Sequence, residues 1–158
     1  MSATKLYVLN AHQDQELVDS FLALVKPRLK NVKNHNFVWW DPSSLLPGEE
    51  RKSEINTHLA DADYVILLLS PDFLAYLRDE DAPKISDSYA KLLPVMLVDV
   101  PLDRSMEFFG IDDRQLYCGD TTEQRSYVSL DSAYQRNRFV DGFIGRMIRR
   151  IDDKGGYQ

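Results

Sequence analysis

Apolar positions along the chain follow two rhythms. The runs 64-YVILLL-69 and 92-LLPVMLV-98 are apolar at nearly every step, the pattern of strands covered on both faces. Elsewhere apolar residues recur every three or four positions. Leu17, Phe21, Leu24 and Val25 trace one helix face, and Ile55, Leu59 and Ala62 a second. Phe139, Phe143, Met147 and Ile151, widened by Val140, Ile144 and Ile148, trace a closing helix. The predicted strands are Lys5 to Leu9, Phe37 to Trp40, Tyr64 to Leu69 and Pro94 to Val100, with a short fifth near Gln115 to Cys118. Asn10 and Asp14 are suited to cap the first helix, and Pro27 is expected to bend or shorten it.

Strands alternating with helical segments predict a parallel sheet with helices on both faces. This is an α/β domain of the flavodoxin-like, doubly wound kind, with five strands in a three-layer α/β/α sandwich. One domain is expected over residues 1–152, followed by a frayed tail at 153–158. Ligands of such sheets bind beyond the carboxyl ends of the strands. Here those ends run into 10-NAHQD-14, 41-DPSSLLPGEE-50, 70-SPDFLAYLRDED-81 and 100-VPLDRSMEFF-109.

Composition narrows the chemistry. Of 158 residues 44% are hydrophobic and the net charge is −6, which supports a packed core and, with no basic stripe, argues against nucleic acid as a partner. A small anion remains admissible, since it needs only a helix N-terminus and one or two cations. The apolar runs are too short to span a membrane. Three histidines and one cysteine, widely scattered, give no metal-ligand spacing. No phosphate-binding glycine motif and no Gly-x-Ser-x-Gly is present. The lone Cys118 and the lack of a signal peptide predict a reducing cytoplasm.

Four segments in order resemble a TIR (Toll/interleukin-1 receptor-like) domain of bacterial type. They are 11-AHQDQEL-17 after the first strand, 39-WWDPSSLLPGEE-50 after an aromatic strand, 60-ADADYVILLLS-70, and 70-SPDFL-74. The match holds over Lys5 to Leu74 and more loosely to the last helix. The resemblance, together with the strand pattern, implies the strand order 2-1-3-4-5. It also implies one of two roles. Many TIR domains are assembly modules in immune signalling; others, including many bacterial ones, cleave NAD⁺ at the nicotinamide–ribose bond, with NAD⁺ as substrate and no separate cofactor. The glutamate at the family position is Glu80, ten residues after Ser70 and fourteen before Pro94. Asp79 and Asp81 flank it and compete for the role, and Pro83 interrupts any helix through it. Cleavage builds positive charge on the ribose. A carboxylate holding the sugar hydroxyls favours that charge, and nicotinamide leaves neutral, so neither a strong acid nor a metal is required.

By the same resemblance Ala11, His12, Trp40, Leu46, Pro47, Gly48, Ser70 and Arg78 border the substrate. Each has a plainer reading. Ser70 and Asp72 are suited to cap the helix after the third strand. His12 is a lone loop histidine. Arg51, Lys52 and Arg78 are surface cations within reach of a pyrophosphate. Trp39 and Trp40 point to opposite faces of their strand, both into packing or one toward an aromatic ligand. Leu45 and Leu46 are too apolar for a solvated loop tip and suggest self-association through residues 41–50. The leading expectation is an NAD⁺ nucleosidase in a bacterial defence, toxin or signalling system, activated by self-association. The alternative is a catalytically silent module that binds a TIR or other signalling protein. A nucleoside deoxyribosyltransferase-like enzyme, also glutamate-dependent, is a third reading, disfavoured by the Pro-Gly loop and Ser-Pro-Asp-Phe-Leu.

Overall fold

A computed structural model describes residues 3–40, 51–78, 85, 91–100, 109, 111, 116–119 and 125–156. Four parallel strands, β1 (Thr4–Leu9), β2 (Phe37–Trp40), β3 (Tyr64–Leu69) and β4 (Leu92–Met96), form one sheet in the order β2-β1-β3-β4. The helices are α1 (Gln15–Lys30), α2 (Arg51–Asp61), α3 (Pro71–Tyr76) and α4 (Ala133–Gly156).

The period-two geometry of the strands divides the core. Leu6 and Val8 of β1, Ile66 and Leu68 of β3 and Leu93 and Val95 of β4 pack with α1 and α4. Tyr7, Leu9, Val65, Leu67, Leu69, Leu92 and Met96 face the other way, onto Ile55 and Leu59 of α2 and Phe73 and Leu74 of α3. Covered on both sides, β3 is buried at every position, which is why its sequence shows no alternation. The flavodoxin-like α/β architecture follows from these three layers.

Beyond β4 the sheet continues as a single parallel bridge between Val95 and Tyr117. The Tyr117 amide donates to the Pro94 carbonyl at 2.8 Å and the Met96 amide to the Tyr117 carbonyl at 2.9 Å. Among the described residues this bridge occupies the place expected of a fifth strand; of the predicted Gln115 to Cys118, Gln115 is outside them.

Three details correct the sequence-based expectation. The fourth strand is Leu92–Met96 rather than Pro94 to Val100. Pro94 sits inside it because its carbonyl points to the outer edge, so the missing N–H falls on that edge too and no bond to β3 is lost. Pro27 does not cut α1 short, and the helix runs through it to Lys30. The buried stripe of α1 is Val18, Phe21, Leu22, Val25 and Leu29, with Leu17 and Leu24 at its border. On α4, Phe139, Val140, Phe143 and Met147 are buried, and Ile144, Ile148 and Ile151 pack around them. At the end of α2 the Lys91 ammonium donates to the carbonyls of Leu59, Ala60 and Ala62 at 2.9–3.2 Å, satisfying acceptors that a helix C-terminus leaves open. Among the described residues no helix is long and apolar enough to cross a membrane.

Candidate functional site

β1 and β3 are neighbours, with Leu9 opposite Leu67, so the segments leaving their carboxyl ends meet. From β1 the chain passes through Asn10 and Ala11 into a single 3-10 turn, His12–Asp14, before α1. From β3 it passes through Ser70 directly into α3, with Pro71 at the first helical position, where its fixed φ and missing donor suit it.

Ser70 is 1% exposed and serves both segments. Its Oγ accepts the Phe73 amide at 3.0 Å, the N-cap bond of α3, and donates to the Asp14 carboxylate. Asp14 was expected to cap α1, but its side chain makes no cap bond there; its carboxylate reaches Ser70 instead. The Asp14 amide is held by the Ala11 carbonyl at 3.1 Å. Asn10, 7% exposed, does not cap α1 either. Its Nδ2 donates to the Ala11 carbonyl at 2.8 Å and to Gln15 Oε1 at 3.3 Å, while its buried Oδ1 has no hydrogen-bond partner among the described residues. The result is a polar seam at the carboxyl edge of the sheet that ties the two segments together.

The other predicted residues are distributed unevenly. Ala11 is buried in the α2/α3 side of the core, so its methyl group is packing and only its backbone faces the seam. His12 is exposed at the start of the 3-10 turn. Arg78 is exposed just past α3, eight residues on from Ser70, which at the helical rise is roughly 12 Å. Trp40 closes β2 with its backbone paired to Tyr7; its side chain, together with Leu45, Leu46, Pro47, Gly48, Asp79, Glu80, Asp81 and Pro83, lies outside the described residues. The neighbouring Trp39 packs against the α1 side of the core under Lys26, whose ammonium stands 5.3 Å from the ring centre.

The seam holds rather than reacts. The Ser70 hydroxyl is committed to Asp14 with no imidazole between them, so the activated nucleophile of a Ser-His-Asp arrangement is not assembled there. Among the described residues no three His, Cys, Asp or Glu side chains are grouped to hold a metal ion. What the seam supplies is a fixed floor at the edge where sheets of this type bind ligands. Sequence reasoning missed the Asp14–Ser70 link. Its only trace was the aspartate of 12-HQD-14, one turn residue among several.

A family model described as TIR domain matches residues 8–136 of the chain. A search of the curated proteins gives no significant match.

Proposed function

The chain belongs to the TIR domain family, and from that membership we propose that it is an NAD⁺ nucleosidase, cleaving the nicotinamide–ribose bond with Glu80 as the carboxylate that holds the ribose. The observation that supports this reading best is the geometry of α3. The helix is rooted by Ser70 at the carboxyl edge of the sheet and ends at Tyr76, so Glu80 follows four residues after a helix anchored where ligands of this fold bind. The Asp14–Ser70 bond fixes that root against the β1 segment, and preorganisation of this kind is what electrostatic stabilisation of a developing cation requires. His12, in the turn after β1, and Arg78, just past α3, are exposed polar side chains on the two segments that the seam joins. Self-association through residues 41–50, with Leu45 and Leu46 in the contact, would bring protomers together for activity.

One observation favours a second reading, the catalytically silent signalling module. The polar groups of the seam largely satisfy one another: Ser70 is engaged on both sides, and Ala11 is buried. Incubation of concentrated protein with NAD⁺, followed by chromatography for free nicotinamide, separates the two. Nicotinamide release in proportion to protein and time supports the nucleosidase; intact NAD⁺ at concentrations where the protein self-associates supports the silent module.

A further inference from the structure

The seam at the carboxyl edge of the sheet holds a buried acceptor to which nothing donates among the described residues. Asn10, 7% exposed, follows β1 directly. Its Nδ2 spends both hydrogens inside the turn, on the Ala11 carbonyl at 2.8 Å and on Gln15 Oε1 at 3.3 Å. Gln15 in turn donates through Nε2 to Asp19 Oδ1 at 2.9 Å, which fixes its own orientation. Reversing the Asn10 amide would set its oxygen against the Ala11 carbonyl, so the network assigns Nδ2 and Oδ1 as they stand. The planar amide then turns Oδ1 away from both partners, and it is left unpaired. The Ser70 hydroxyl is committed to Asp14, and no cation pairs with the Asp14 carboxylate among the described residues. The seam therefore keeps these side-chain donors for itself and offers acceptors.

We propose that Asn10 is a specificity-determining residue of this edge, its Oδ1 accepting a hydrogen bond from the carboxamide N–H of a nicotinamide group. The choice of ligand rests on the nucleosidase reading above; the open acceptor is a property of the fold. A buried acceptor without a donor costs the folded chain its lost hydration, and a ligand N–H recovers that cost. Because Oδ1 is already shielded from solvent, the new bond strips no water from the protein side. Access takes a local opening at the 3-10 turn His12–Asp14, whose first two residues are exposed. A carboxylate in place of the carboxamide brings no donor. It also sets its charge near the Asn10 oxygen and the Asp14 carboxylate, which repel it. A site built to bond an N–H rejects analogues that lack it, because they leave its buried acceptor unpaired. Asn10 thus distinguishes the amide from the acid.

The test titrates the 158-residue chain with nicotinamide, methyl nicotinate and nicotinate, followed by backbone and side-chain amide NMR shifts. The three share one ring; the ester removes the N–H, and the acid adds a charge as well. The expected result is saturable nicotinamide binding with a dissociation constant on the order of 1 mM, with shifts centred on Ala11, Gln15 and the Asn10 side-chain amide. Methyl nicotinate should bind about tenfold more weakly, the loss of one hydrogen bond, and nicotinate more weakly again. In a folded Asn10→Ala the preference for nicotinamide over the ester should vanish. Absence of saturation, equal binding of nicotinamide and ester to wild type, or a preference retained in folded Asn10→Ala would each overturn the proposal. Should Asn10→Ala not fold, the wild-type comparison and the shift of the Asn10 side-chain amide decide alone. Cleavage of NAD⁺ and of its nicotinic acid counterpart, measured alongside, separates this proposal from the nucleosidase reading. Preferential cleavage of NAD⁺ supports both. Cleavage of the two at equal kcat/KM overturns the role of Asn10 and leaves the nucleosidase standing. Cleavage of neither, with the nicotinamide preference intact, removes the nucleosidase and leaves the carboxamide site.

Discussion

Ser70 shows how one side chain can serve two elements. It caps α3 and holds the turn after β1 through Asp14. Ser70→Ala is expected to lower stability by about 2–3 kcal/mol, the sum of a lost N-cap and a lost charge-assisted bond. A double-mutant cycle with Asp14→Ala in urea should show about 1 kcal/mol or more of coupling; additive effects would mean that the two residues act separately. The link was not legible in the sequence because 56 positions separate the partners and each has a sufficient local use as a cap. Cys118 carries a second residue-scale expectation. Burial pushes its thiol above the ordinary value of 9.0, with Arg146 pulling weakly the other way. Below that value both folded and unfolded chains hold the proton, and the stabilising difference is fully present. As pH rises past it, the unfolded thiol ionises first and stability falls until the folded thiol ionises as well. Thermal melts of wild type and Cys118→Ala across this range should therefore show a wild-type advantage that shrinks above pH 9.0. A constant difference would show that the thiol is not shielded.

Among the elements, those whose pattern had one explanation were readable. β3 is the clearest, since six successive apolar residues bounded by turn signals leave little besides a strand buried on both faces. The inner face of α2 and the apolar stripe of α4 followed from helical spacing. Proline was the recurring source of error, because its effect depends on where its missing N–H points. At Pro94 the absent donor faces the outer edge of the sheet and the strand passes through. At Pro27 the absent donor is accommodated late in α1, leaving the Ala23 carbonyl without its usual helical partner. Pro27→Ala should restore that bond and remove the ring's contact with the preceding turn. The expected gain is about 1–2 kcal/mol, less than the full helix-interior penalty because alanine also makes the unfolded chain freer. An unchanged or lowered melting temperature would indicate that α1 already bends to relieve the proline.

For the whole molecule, alternation of strands and helices fixed the architecture, and four motifs in order identified the family. The site was less legible. Motif order can identify residues that border a ligand, but not whether their groups are already committed to one another, as Ser70 and Asp14 are. Assembly belongs to this scale as well. Leu45 and Leu46 inserted into a neighbouring protomer would bury roughly 200 Å² of apolar surface, about 5 kcal/mol before ordering costs consume much of it. Activity should then rise with protein concentration, and Leu46→Asp should be flat and low across the same series. Equal, concentration-independent activity in both would remove self-association from the account.

The most direct measurement is nicotinamide release by wild type and Glu80→Gln at equal high concentration, with both proteins shown to be folded by their melting transitions. The substitution keeps the side chain's size and removes the charge that is to stabilise the developing ribose cation. The nucleosidase reading predicts a loss of about 10²-fold or more with the melting temperature little changed. Release by Glu80→Gln at the wild-type rate would contradict the assignment of Glu80, and the absence of release from wild type under these conditions would contradict the nucleosidase itself.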